Sequence, residues 1–468
     1  MIPLQLEELA RITEGRLLLP AGISGTTEVA GSVQTDSRLV EPGSIFFALP
    51  GEHTDGALFA TSAVENGAAV VVAEQELDLA APVLVVTDGV EALARLASAV
   101  VARVRDAGRL KVVGITGSNG KTTTKNLLGA ILSAEGPTVA PRESFNNHVG
   151  APVSMLRVEA DTRHLIVEMG ASKVGDIARL VRIVRPDVAI VLKVGLAHAG
   201  EFGGVEATQR AKSELVTDLG PADVAILNAD DSRVAAMAEL TRAKVRWFGL
   251  GESADVRAEN VQASAEGTTF TVVAGAERAE VRLKILGEHH VMNALAALSA
   301  ATTLGVPLQR AVAALQEVAR AERWRMEVLQ PGGGITVIND AYNASPDSMA
   351  AALKTLAQIR RPGERTVAVL GEMAELGEYA REEHDRIGRL AVRLNIDRLI
   401  VVGEAARAIH LGAGLEGSWN GESVQVADTD AAYDVLREEL RAGDVVLVKS
   451  SKSAGLRFLG DRIGGATS

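Results

Sequence analysis

The spacing of apolar and polar positions divides the chain of 468 residues into three stretches. Up to about Gly108, short apolar runs at 45–49, 68–73 and 83–86 stand between turn-rich clusters, and helical spacing from Val90 to Arg105 closes the stretch. From Arg109 to about Arg320, strand-like runs at 112–115, 165–168, 188–191 and 224–227 alternate with helical patterns starting at Thr122, Gly175 and Val205. Such alternation predicts βαβ units, a parallel sheet with helices on both faces. Period-two alternation at 255–286, broken at Glu266-Gly267 and at Gly275, predicts an antiparallel ribbon attached to that sheet. From Glu322 the βα rhythm resumes, with runs at 335–338, 367–370, 399–402 and 445–448 and helices after Pro346 and from Gly377. This is a second doubly wound unit without a glycine-rich fingerprint in its first turn. The fold expectation is α/β in three domains, at 1–108, 109–320 and 321–468.

Composition narrows the field. There is no cysteine, which excludes disulfides, thiol catalysis and thiolate zinc sites. The formal net charge of −12 and an aromatic content of 3% argue against a nucleic-acid partner. No apolar run reaches the roughly 18–20 residues of a membrane span. The first residues carry early acidic side chains and no basic region ahead of an apolar one. The expectation is a cytoplasmic chain without membrane insertion.

The candidate chemistry starts at GITGSNGKTTT, residues 114–124, between a predicted strand and a predicted helix. Gly117 and Gly120 allow a tight turn in which backbone N–H groups converge on one anion, and Ser118 and Asn119 lie between them. The helix N-terminus adds positive potential at the same spot. Lys121 would reach the β- and γ-phosphates of ATP, Thr122 would offer its hydroxyl to Mg²⁺, and Thr123 completes the turn. The strict G-x4-G-K-[ST] spacing fails, because Ile115 holds its first glycine position. The central domain is thus expected to be of the P-loop ATPase type.

Further polar residues fall at the predicted carboxyl ends of strands, where a parallel sheet presents ligand-binding groups. Glu168 ends one such run and is a candidate Mg²⁺ ligand. His198 lies in the loop GLAHAGEFG, where a plain hydrogen-bonding role is the alternative to metal binding. Lys212 reads, on its own, as a solvated helix lysine. Asn146 and Asn147 read either as functional residues or as a turn pair.

GITGSNGKTTTKN, SFNNHVGAPVSML, EMGASKVGDI, AHAGEFGG, AKSEL and GEHHVMNALAAL, in this order, resemble the central ATPase domain of the Mur ligase family. NDAYNASPDSMAAAL and VLGEMAELGEYAREEH resemble the members that join D-alanyl-D-alanine to UDP-N-acetylmuramoyl-tripeptide. TDSRLVEPGSIFFALPGEHTDGALF resembles their N-terminal substrate domain. The resemblance spans nearly the whole chain. It implies an ADP-forming amide ligase of peptidoglycan precursor synthesis, acting through an acyl phosphate as a monomer on small-molecule substrates. It leaves as alternatives the family member that adds the third amino acid and a folylpolyglutamate-type ligase. It implies two Mg²⁺ ions, with Thr122, Glu168, His198 and Lys212 as ligands, and matches Lys212 to a lysine that related ligases carbamylate. Lys121, Lys212 and His198 would be the catalytic set. Asn293 would contact adenine, and Arg325, Asp340 and Asn343 would close over ATP from a Rossmann-like C-terminal domain. Asp36, Ser37 and Arg38 would meet the uridine-diphosphate end, while Asn146, Asn147, Lys449 and Ser450 would touch substrate. Lys449 and Lys452 are the candidate cations for the carboxylate of the dipeptide. The chain departs from the family pattern at Ala57, Asn339, Ala341 and Ser345. It also carries Trp324 where glycine is common, and Lys449-Ser450-Ser451-Lys452 in place of KGSR.

Overall fold

The apolar runs become the strands of three main sheets. The computed structural model describes residues 1–51, 54–141, 144–196, 204–318 and 322–466. The first sheet contains Ile45–Ala48, Val70–Ala73 and Val83–Val85 as parallel strands, with Arg16–Leu18 antiparallel at one edge. The helix Gly89–Asp106 follows, capped by the Asp88 carboxylate on the Glu91 N–H.

The central sheet has nine strands. Its first strand, Lys111–Thr116, pairs in parallel with His164–Glu168 on one side and with Val188–Val191 on the other. The chain therefore leaves this strand in both directions. A crevice opens beyond its carboxyl end, at the topological switch point. Successive side chains point to opposite faces. Val112, Leu165 and Val191 join one core cluster, and Val113, Ile115 and Ile166 join the other, under the helices Lys121–Ser133 and His289–Thr303. The expected ribbon is present as Val256–Ser264, Gly267–Ala274 and Glu277–Leu283, antiparallel to one another. It joins the sheet through Lys244–Gly249, a strand the pattern analysis missed. Lys244 and Arg246 break its apolar run.

The third sheet has six strands. Ile335–Asn339, Asp444–Lys449, Arg365–Leu370, Arg398–Val402 and Glu422–Val426 are parallel, and Glu327–Gly332 is antiparallel at the edge. Glu422–Val426 and Glu327–Gly332 also escaped the sequence pattern. Both are edge strands with exposed or half-buried positions, so neither shows a continuous apolar run. The helix Pro346–Ile359 starts with a capping box of Ser345 and Ser348. Asn339 and Val448 sit side by side in register, which places the next residues, Asp340 and Lys449, together at the carboxyl edge.

Candidate active site

The segment Gly117–Gly120 turns directly off the strand Lys111–Thr116, and the helix Lys121–Ser133 begins at its end. Gly120 has φ 85°, a left-handed conformation, and a Cβ there would run into Asn293 Oδ1. The glycine therefore serves both the turn and the close approach of Asn293. Lys121 Nζ donates to the Gly117 carbonyl at 2.8 Å. Burial pushes the Lys121 amine below its ordinary value; the Glu168 carboxylate opposes this and the Arg325 guanidinium adds to it. The Ser118 hydroxyl accepts from the Gly195 N–H at 2.9 Å, which ties the loop to the neighbouring strand's exit.

A ring of oxygens lies behind the loop. Thr122 Oγ1 is 3.1 Å from Glu168 Oε2 and 3.1 Å from Ser144 Oγ, and Asn146 Nδ2 donates to Glu168 Oε1 at 2.9 Å. Glu168 and Thr122 are 1% and 3% exposed. A hydroxyl beside a buried carboxylate is an oxygen donor set suited to a hard cation such as Mg²⁺. Lys212, from the helix Val205–Thr217, lines the same cavity and is buried. Desolvation, then the nearby Lys121 charge, brings its amine down to about 7. The expectation of a solvated helix lysine is thereby overturned. His198 lies outside the described residues.

The third sheet supplies the opposite wall of a cavity of about 1120 Å³. Arg325 donates to Ser144 Oγ at 3.0 Å, and its guanidinium stands 4.3 Å from the centre of the Tyr342 ring. Asp340 Oδ1 accepts from the Met326 N–H at 3.0 Å, and Oδ2 receives Lys449 Nζ at 2.5 Å. Lys449 also donates to the Asn343 carbonyl at 3.1 Å. The loop and this wall touch directly: Ser345 Oγ donates to Asn119 Oδ1 at 3.0 Å, and Lys193 pairs with Asp347 at 3.1 Å.

Comparison with known proteins sets this geometry in a lineage. Three family models match successive parts of the chain: Mur ligase family, catalytic domain, at 30–114; Mur ligase middle domain, at 115–301; and Mur ligase, glutamate ligase domain, at 324–452. The chain belongs to the Mur ligase family. A Mycobacterium tuberculosis relative named UDP-N-acetylmuramoyl-tripeptide–D-alanyl-D-alanine ligase is 45% identical, over 99% of this chain and 98% of its own. A crystal structure of MurF from Acinetobacter baumannii superposes with a TM-score of 0.87 at 33% identity, covering 99% of each chain. MurF ligase from Thermotoga maritima in complex with ADP gives 0.80 at 27% identity, over 93% of this chain and 98% of that one.

Not every residue expected from the Mur ligase resemblance reaches the cavity. Gly120, Lys121, Thr122, Thr123, Asn146, Asn147, Glu168, Lys212, Asn293, Arg325, Asp340, Asn343 and Lys449 line it, with Ser118 and Asn119. Asn147 does so while capping the next turn, its Oδ1 accepting from the Gly150 N–H at 2.8 Å, so the turn role holds as well. Ser450 is fully buried, with its hydroxyl on the Ser451 carbonyl, and is not in the wall. Asp36, Ser37 and Arg38 lie on the first unit, outside this cavity; Arg38 grips Asp36 through Nε at 2.9 Å and Nη2 at 2.6 Å. Sequence reasoning missed His289 and His290. Both line the cavity, and burial drives His289 down to about 4 and His290 well below its ordinary value, so both are neutral at pH 7. Their place in GEHHVMNALAAL, three and four residues before Asn293, was the available signal. Trp324 occupies a left-handed position, φ 63°, which accounts for the glycine common there in Mur ligases.

Proposed function

We propose that the chain is an ATP-dependent amide ligase joining D-alanyl-D-alanine to UDP-N-acetylmuramoyl-tripeptide, with release of ADP and phosphate, in peptidoglycan precursor synthesis. The observation that carries this reading is the 45% identity, end to end, to a ligase of that name. The cavity supports it with a phosphate loop facing a second α/β unit, an arrangement suited to closing over a nucleotide.

A carboxylate is inert to an amine because its leaving group is poor. In the proposed reaction the tripeptide carboxylate takes the γ-phosphoryl group of ATP; an O–P bond forms and the bond to ADP breaks. The dipeptide amine then attacks the acyl carbon, the C–N bond forms, phosphate leaves, and the amine proton passes to solvent. Lys121 and the loop N–H groups would hold the phosphates and offset charge as the two anions meet. Thr122, Glu168, Lys212 and His198 would hold the two Mg²⁺ ions, which when bound supply Lewis-acid charge neutralisation. Arg325 would reach the same end from the C-terminal unit, Asn293 would take adenine, and Asp340 the ribose. Asp36, Ser37 and Arg38 would meet the uridine-diphosphate end. With its amine near 7, Lys212 is neutral often enough to add CO₂, losing a proton and gaining a carbamate oxygen pair for Mg²⁺. Units bounded at 1–108, 109–320 and 321–468, working as a monomer in the cytoplasm on charged, water-soluble substrates, complete the proposal.

Phosphate release measured with each Mur nucleotide, with and without acceptor, tests it. Release should require UDP-N-acetylmuramoyl-tripeptide together with D-alanyl-D-alanine, and free D-alanine, L-lysine or diaminopimelate should give none. Amide formation from a free amino acid onto UDP-N-acetylmuramoyl-dipeptide would transfer the assignment to the ligase that adds the third residue.

A further inference from the structure

An enzyme that takes a dipeptide in place of a free amino acid needs a cation for the terminal carboxylate, set one dipeptide length from the reacting carbon. The cavity wall holds several cations, and most are engaged. Lys449 is 2% exposed and locked by Asp340 and the Asn343 carbonyl. Lys193 pairs with Asp347 at 3.1 Å and Arg179 with Glu91 at 2.6 Å. Lys121 and Arg325 serve the phosphate end.

Lys452 differs. It is exposed at the cavity wall, three residues beyond the strand Asp444–Lys449, and among the described residues no carboxylate lies within ion-pairing distance of its Nζ. Its neighbour is the Tyr342 ring, 5.7 Å from Nζ, close enough for a cation–π contact to hold the side chain in place. The same ring carries Arg325 at 4.3 Å, and Arg325 bonds Ser144, which bonds Thr122. The Tyr342 ring thus contacts both Lys452 and the guanidinium that reaches toward the phosphate end. Lys173, another cavity lysine without a carboxylate ion pair among the described residues, has no ring contact with Tyr342 there.

We propose that Lys452 receives the terminal carboxylate of the acceptor dipeptide and makes the site selective for it. The assignment rests on the proposed D-alanyl-D-alanine ligase activity. It accounts for a lysine in place of the family's arginine: a single ammonium on a ring face binds one carboxylate as a point charge, without the fork geometry of guanidinium.

The test uses the full-length enzyme at saturating ATP and UDP-N-acetylmuramoyl-tripeptide, with D-alanyl-D-alanine or its C-terminal amide varied. Wild type should favour the acid over the amide by about tenfold or more in kcat/KM, the value of one charged hydrogen bond. Lys452→Ala should raise the KM for the acid by a similar factor and abolish the preference, with the KM for ATP unchanged. Lys452→Arg should restore it. An acid preference that survives in Lys452→Ala, or that is lost in Lys173→Ala instead, would overturn the assignment. A wild-type enzyme that forms no amide with D-alanyl-D-alanine would overturn the ligase reading and this assignment with it.

Discussion

Lys121 rests on the Gly117 carbonyl at 2.8 Å, with its amine desolvated and facing Glu168. Lys121→Ala removes this cation without disturbing the turn, which Gly120 and the backbone form. The variant should bind its substrates and lose at least about a hundredfold in kcat, since a lost charge-stabilising donor acts mainly in the transition state. Near-normal phosphate release would remove the loop from the chemistry. Lys212 gives a second residue-scale expectation. Lys212→Ala should be nearly inactive, and formate or acetate should restore part of the activity by supplying the missing ligand oxygens. Full activity without added carboxylate would return Lys212 to a packing role. The phosphate loop was legible in the sequence because one short segment carries its whole chemistry. The state of Lys212 was not, because burial comes from segments distant in the chain, and its own helix reads as polar.

At the scale of elements, much of the C-terminal unit hangs on one carboxylate. Asp461, 6% exposed in the helix Leu456–Gly464, accepts from Trp324 Nε1 at 2.9 Å, Arg323 at 3.0 Å and Asn339 Nδ2 at 3.1 Å. It thereby joins the last helix, the strand Ile335–Asn339 and the turn at Trp324. The left-handed Trp324 costs about 1–2 kcal/mol in backbone strain, and the indole contacts with Asp461, Tyr342 and Phe458 offset it. Asp461→Ala would leave the indole N–H without a partner and the buried Asn339 amide with the Arg457 carbonyl alone, and should lower unfolding stability by about 1–3 kcal/mol in urea denaturation. A change within experimental error would show that water replaces the carboxylate. The same network gives Asn339 and Trp324, departures from the family pattern, a structural role that no local pattern shows. Strands inside the sheets were legible because apolar runs are obligatory there, whereas edge strands have one solvated side and blur into the loops.

At the scale of the molecule, the first and central units share one core, in which Leu93, Leu96 and Val100 pack in a cluster with Met155 and Leu180. The third unit has cores largely its own. The order of the units was legible from the alternation of runs, but the shared core was not, since a pattern along one segment does not say which neighbour covers it. Across the cavity the junction is polar. Lys193 and Asp347 are 44% and 39% exposed and contribute at most about 1 kcal/mol. Such a junction can open to admit substrates and close to keep water from an acyl phosphate. That intermediate is the centre of the account, and oxygen transfer tests it most directly. UDP-N-acetylmuramoyl-tripeptide labelled with heavy oxygen in its reacting carboxylate is turned over with ATP and D-alanyl-D-alanine, and the released phosphate is analysed by mass. One labelled oxygen should appear in each phosphate formed. Unlabelled phosphate accompanying amide formation would contradict the account.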